Sequence, residues 1–132
     1  MPNTIATQVL FDDAVSSLIK YTIVGDGSGE VTGGVLYDAS SYIGAPAKPK
    51  IRTIDYSMVG CSAKLNWDAT TDVFIMGLPA DYAYKFNFEQ FGQERFKALP
   101  NNSGAGVTGD ILITTSGLGL TDTVTIIMEI VK

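Results

Sequence analysis

The chain has 132 residues, a net charge of −5, one cysteine and no histidine. The missing histidine excludes histidine-based triads, histidine metal ligands and imidazole pH switches. The single cysteine, Cys61, excludes an intrachain disulfide and a cysteine metal cluster. A negative balance also disfavours sequence-independent nucleic-acid binding, which needs a basic surface that releases counterions.

The length fits one domain, 1–132, able to bury a core without metals or cross-links. Apolar residues make up 45%, ordinary for a globular chain, whereas charged residues reach only 17%, below the typical ~25%. Much of the surface is therefore Ser, Thr, Asn, Gly and apolar groups. That suits either extensive protein contact, where charge is depleted, or an ordinary Thr- and Gly-rich sandwich. No secretory pattern precedes Asp12 and Asp13, and no apolar run approaches the ~20 residues that span a bilayer. The expectation is a soluble chain made in a cytoplasm, with no membrane partner and no cofactor.

Residues 5–11 alternate Ile5, Thr7, Val9 and Phe11 with Ala6, Gln8 and Leu10, a strand closed by Asp12 and Asp13. Residues 1–4 are expected to form a flexible N-terminal arm. Residues 18–24 make a second strand with Ile19, Tyr21 and Ile23 on one face. Gly25-Asp26-Gly27-Ser28-Gly29 and a strand over 30–37 follow, which predicts a hairpin with a mobile tip. Asp26, Ser28 and Glu30 invite a calcium reading, but the EF-hand set of ligands and its flanking helices are missing, so a turn is favoured.

Residues 38–50, with Gly44, Pro46 and Pro49, predict an ordered loop or crossover between sheets. Lys48, Lys50 and Arg52 form the one basic cluster and are read as a solvated strand entry. Residues 51–59 place Arg52, Ile54, Tyr56 and Met58 on one face, and Gly60 breaks the run or marks a bulge. Ala63, Leu65 and Trp67 then alternate with Lys64, Asn66 and Asp68. Residues 72–78 are apolar on both faces, which predicts a central strand or one covered by another chain.

Residues 81–89 carry the sharpest period, with Tyr82, Tyr84, Phe86 and Phe88 on one side. Such a stripe either fills the core between sheets, the favoured reading, or lines a sugar-binding platform. Trp67 is likewise a core anchor or, with Tyr82 and Tyr84, part of that platform. Residues 91–99 are mixed and charged, with room for a helical turn. Residues 100–109 form a polar glycine loop in which Asn101-Asn102-Ser103 is a turn rather than a glycosylation site. Strands over 111–115 and 121–131 close the chain.

These signals predict an all-β, antiparallel β-sandwich of about eight strands with jelly-roll or immunoglobulin-like topology. No catalytic residues are assigned. Asp55, Asp68, Asp72, Asp81, Glu89 and Glu94 are available carboxylates, but a glycosidase needs two of them about 5 to 9.5 Å apart across a cleft. Cys61 lacks an activating histidine and reads as a buried small hydrophobe.

The order of the later segments carries a resemblance. Asp72-Val73-Phe74-Ile75-Met76-Gly77-Leu78-Pro79 leads to the aromatic strand. Gly109-Asp110-Ile111-Leu112-Ile113-Thr114-Thr115-Ser116-Gly117 and the closing run from Asp122 through Val124, Ile126, Met128 and Ile130 to Lys132 complete it. This half of the chain resembles small virion structural proteins of tailed bacteriophages, in particular the capsid decoration or cement class. The resemblance implies a non-enzymatic β-sandwich on the outer surface of the phage head, assembled in the host cytoplasm. It implies the major capsid protein as partner, and a homo-oligomer, with a trimer favoured over a dimer. Two alternatives stand beside it: a carbohydrate-binding β-sandwich module using Trp67, Tyr82 and Tyr84, and a neck or tail component of the virion.

Overall fold

The computed structural model describes residues 3–88 and 104–132. Among them lie nine strands and one 3₁₀ turn, residues Ala39–Ser41. The strands are β1 (Thr4–Asp12), β2 (Ser16–Val24), β3 (Gly34–Tyr37), β4 (Lys50–Val59), β5 (Ser62–Trp67), β6 (Val73–Leu78), β7 (Ala83–Asn87), β8 (Ile111–Ser116) and β9 (Thr123–Val131). All pairings are antiparallel and form two sheets, ordered β1-β2-β9-β4-β7 and β3-β8-β5-β6.

Strands β2 to β9 thus split into two four-stranded sheets, β2-β9-β4-β7 facing β3-β8-β5-β6, with β1 added outside β2. This is the double-sheet jelly-roll wrap. Of the two expected topologies it is the one present; an immunoglobulin sandwich groups its strands differently.

Period-2 alternation builds the core. Ile19, Tyr21 and Ile23 of β2, Ile54, Tyr56 and Met58 of β4, and Val124, Ile126, Met128 and Ile130 of β9 point inward from the larger sheet. Leu36, Leu65, Trp67, Leu78, Ile111 and Ile113 meet them from the smaller one. Trp67 is only 1% exposed, so it anchors the core. Cys61 is also buried, a free thiol whose pKa is pushed up by burial and then by the nearby carboxylates of Asp122, Glu30 and Asp81.

Several expectations are corrected. β2 and β3 do not form a hairpin: they lie in different sheets, and residues 25–33 cross from one to the other. Glu30 is taken up in that crossing. Its carboxylate accepts from Thr115 Oγ1 (2.8 Å), Gly117 N (2.9 Å) and Leu118 N (3.1 Å), tying the crossing to the β8–β9 turn. Those donors, Thr115 first, hold the Glu30 carboxyl below its usual range. β6 is an edge strand rather than a central one. Its register shifts between its two halves, and Phe74 lies on the outer face over Gly77. Residues 38–49 do link the two sheets, as expected.

The N-terminal arm is also revised. Thr4 begins β1, and Asn3 donates to Gly29 O (3.0 Å) and accepts from Asp26 N (3.1 Å). Met1 and Pro2 lie outside the described residues, as do Glu89, Glu94, the expected helical turn over 91–99 and the Asn101 sequon.

Candidate functional site

The larger sheet ends in β7 and the smaller sheet in β6, and residues 79–82 connect the two. Among the described residues no further strand flanks β7 or β6 at this end, while the inward-facing stripe continues. β7 pairs with β4 so that Tyr84 lies opposite Tyr56 and Phe86 opposite Ile54. Directly opposed residues of an antiparallel pair share a face, so Tyr84 and Phe86 lie on the core side of the sheet. Tyr82 is fixed one step earlier, where its carbonyl accepts from Met58 N at 2.9 Å.

The four rings form a graded ladder. Phe88 is buried and Phe86 half-buried against the core. Tyr84 and Tyr82 are 50% and 52% exposed. Ring centroids are 6.1 Å apart for Phe86–Phe88, 4.8 Å in an edge contact for Tyr84–Phe86, and 6.3 Å for Tyr82–Tyr84. The buried Tyr56 backs the ladder, 6.1 Å from Phe86 and 6.4 Å from Tyr82. Burial pushes the Tyr56 hydroxyl pKa up, with the neighbouring tyrosines adding to the effect.

The favoured reading of this stripe as core therefore holds for Phe88 and largely for Phe86, and fails for Tyr82 and Tyr84. Their alternation puts them on the inner face, but that face is open at its edge. The three residues of the expected platform divide accordingly. Tyr82 and Tyr84 are brought together on the surface, whereas Trp67 is sealed inside and takes no part. Strand order, which no periodicity carries, decides the difference.

Such an edge presents two neighbouring phenolic rings, held by packing beneath and by the β4–β7 ladder. Exposed rings of this kind offer flat apolar faces with hydroxyls at their rims. They can cover the apolar face of a sugar ring or an apolar protein side chain. Two other surface features complete the picture. The outer face of the larger sheet carries a shallow groove lined by Phe11, Leu18, Asp55, Lys85, Ile127 and Glu129, and Arg52 Nη1 reaches Glu129 Oε2 at 3.0 Å beside it. β1 is exposed along almost its whole length. Among the described residues no three His, Cys, Asp or Glu side chains are grouped to hold a metal, and no helix is long and apolar enough to cross a membrane.

No protein-family model matches the chain, and no curated protein sequence matches it. Among solved structures it is similar to variants of a family 29 carbohydrate-binding module studied for ligand recognition. A tyrosine-to-alanine variant matches at 11% identity and a TM-score of 0.38, over 97% of this chain and 92% of that one. An arginine-to-alanine variant matches at the same identity and TM-score, over 96% and 91%. These values describe a distant likeness and carry no residue-by-residue correspondence.

Proposed function

We propose that this chain is a non-catalytic binding module that holds a neutral carbohydrate against the Tyr82–Tyr84 edge. The observation that carries this reading is the pair of half-exposed tyrosine rings at the open end of the jelly roll, braced by Tyr56 and Phe86. The net charge of −5 disfavours acidic glycans. Recognition rests on ring-to-sugar packing with the phenolic hydroxyls as polar contacts, a mostly apolar surface with few placed polar groups.

The test is affinity electrophoresis through gels containing neutral polysaccharides. The wild-type chain is expected to be retarded by at least one of them. Tyr82→Ala and Tyr84→Ala should each weaken retention about tenfold, the loss of roughly 1 kcal/mol or more that marks an anchoring aromatic. Tyr84 is half-exposed, so Tyr84→Ala should weaken retention without lowering the melting temperature appreciably. Unchanged migration of the wild type in every gel would reject the reading.

A second reading has its own observation. The sparse charge and the exposed, apolar β1 suit a structural protein that lives in contact with other chains. On this reading the chain decorates the outside of a phage head, or sits at its neck or tail, and stabilises the assembled lattice by binding only that form. Saturable co-sedimentation with expanded phage heads supports it. Failure to pellet with heads, necks or tails argues against it.

A further inference from the structure

We infer that β1 is a self-association edge, pairing antiparallel with β1 of a second copy about a two-fold axis through Thr7. This inference is independent of the carbohydrate reading, because it uses the opposite edge of the larger sheet from Tyr82 and Tyr84, and it assigns to a second copy the exposed β1 on which the structural-protein reading draws.

β1 is the terminal strand of the larger sheet and pairs with β2 along one side only, from Thr4 opposite Val24 to Asp12 opposite Ser17. A terminal strand offers a row of backbone donors and acceptors on its free side. Solitary proteins blunt such edges with lysine, proline, inward charges or brevity. Between Asn3 and Phe11 there is no charged residue and no proline, and the strand is nine residues long. The single interruption is the register shift between Val9 and Phe11, which leaves residues 4–9 as the regular stretch. Ile5, Val9, Leu10 and Phe11 are all exposed.

Pattern and symmetry select the register. Ile5, Thr7 and Val9 lie opposite Ile23, Tyr21 and Ile19 of β2, so they share the inner face, with Ala6 and Gln8 on the outer one. A two-fold axis normal to the sheet keeps inner residues against inner residues. With Thr7 on the axis, Ile5 of each copy meets Val9 of the other, Thr7 meets Thr7, and Ala6 meets Gln8. These are the β-branched and Thr–Thr cross-strand pairs that stabilise sheets. The pairing uses the regular stretch fully and leaves the irregular one outside.

Charge agrees with this choice of partner. In a chain of net charge −5, the neutral run is where two copies can approach without placing like charges opposite each other. Asp12 lies beyond the paired stretch and is already engaged by Lys132 Nζ, Ser17 Oγ (2.7 Å) and Ile43 N (3.0 Å). The pairing joins two five-stranded sheets into one of ten and closes at two copies, because a two-fold pairing uses the β1 edge of both chains at once. It places the second copy beside the groove between β1 and the smaller sheet, which is lined by Thr7, Val9, Val35, Leu36 and Tyr42 together with Ser41 and the charged Asp38. A strand pair of this length buries less than the roughly 1,200 Å² of stable complexes, so the dimer forms in a concentration-dependent way.

Sedimentation velocity over roughly 1 to 300 micromolar reads this directly. The wild type is expected to pass from monomer to dimer. Thr7→Lys, which sets two lysines against each other on the axis, should remain monomeric with an unchanged melting temperature, since Thr7 is exposed. Thr7→Val should dimerise as well as the wild type or better. Amide exchange of residues 4–9 should slow as concentration rises. A wild type that stays monomeric throughout, a trimer, or a dimer that Thr7→Lys leaves intact would each overturn the inference.

Discussion

Gly60 shows how tightly one residue can be specified. It makes the turn from β4 to β5 with φ of +79°, and its N–H donates to Asp81 Oδ1 at 2.7 Å. A Cβ built there would meet the Asp122 carboxylate, whose own Oδ2 is held by Gly119 N at 2.8 Å. Gly60→Ala therefore combines a left-handed backbone with a clash. It should destabilise by about 1–3 kcal/mol, read as a lower urea midpoint. Adding Asp122→Gly should recover the part due to the clash and leave the part due to φ. Asp110 is a different case. Burial raises its pKa, outweighing the hydrogen bond it accepts from Ala39 N (2.9 Å), and the carboxylates of Asp38 and Asp68 push the same way. Its charge thus opposes folding above its native pKa, and the opposition disappears below the unfolded value. Asp110→Asn keeps an acceptor for Ala39 and removes the charge. It should raise the melting temperature at pH 7 and make no difference near pH 3.

Among the strands, β5 and β7 carry aromatic side chains with opposite fates. Trp67 of β5 is packed between the sheets, whereas Tyr84 of β7 faces the core side at an open edge. Trp67→Ala should cost about 3–5 kcal/mol as a large buried truncation, and Tyr84→Ala far less, both measured by urea unfolding followed by far-ultraviolet circular dichroism. The sequence pattern alone gives the two residues the same signature, an aromatic at an inward position of an alternating strand. Alternation reports the face of a sheet but not the distance to its edge, so Tyr82 and Tyr84 read as core. The hairpin expected from residues 18–37 fails for a related reason. Gly25-Asp26-Gly27-Ser28-Gly29 has the chemistry of a turn whether the next strand returns to its own sheet or crosses to the other. β6 misleads through its composition, since Phe74 and Ile75 make it apolar on both faces without making it central. What was fully legible is β9, where Val124, Ile126, Met128 and Ile130 alternate without a break and are all buried. There, burial on one face and a strict period agree.

Taken as a whole, the molecule is fastened at its turns by carboxylates. Asp12 holds Lys132, Ser17 and Ile43 N; Asp13 accepts from Val15 N and Ser16 N; Asp38 caps the 3₁₀ turn through Ser40; Glu30 binds the β8–β9 turn. For Asp12, burial acts to raise the pKa, but the Lys132, Ile43 and Ser17 hydrogen bonds prevail and lower it. Asp13, Asp38 and Glu30 are lowered as well, chiefly by the backbone N–H of Ser16, by Ser40 and by Thr115 respectively. A depressed carboxylate stabilises the fold above its unfolded pKa, about 3.9 for Asp and 4.3 for Glu, and that contribution is lost as pH falls through the native value. Stability should therefore be level from neutrality to about pH 5 and decline steeply below about pH 4. Urea midpoints of Asp110→Asn across that range check it, since Asp110 acts in the opposite direction, and a midpoint of that variant that rose on acidification would contradict it.

The place of β9 has a consequence for how the chain comes into being. β9 lies between β2 and β4, hydrogen-bonded to both along their lengths. On the ribosome, β2 and β4 emerge well before residues 123–131 do. Until then two long strands wait side by side across a gap of one strand, each with an unsatisfied edge and an apolar face. Pairings this distant in sequence close slowly, and strands left waiting are the ones that find wrong neighbours. The nascent chain is most vulnerable until residues 123–131 have emerged, and it becomes a jelly roll when β9 slides into the slot held for it.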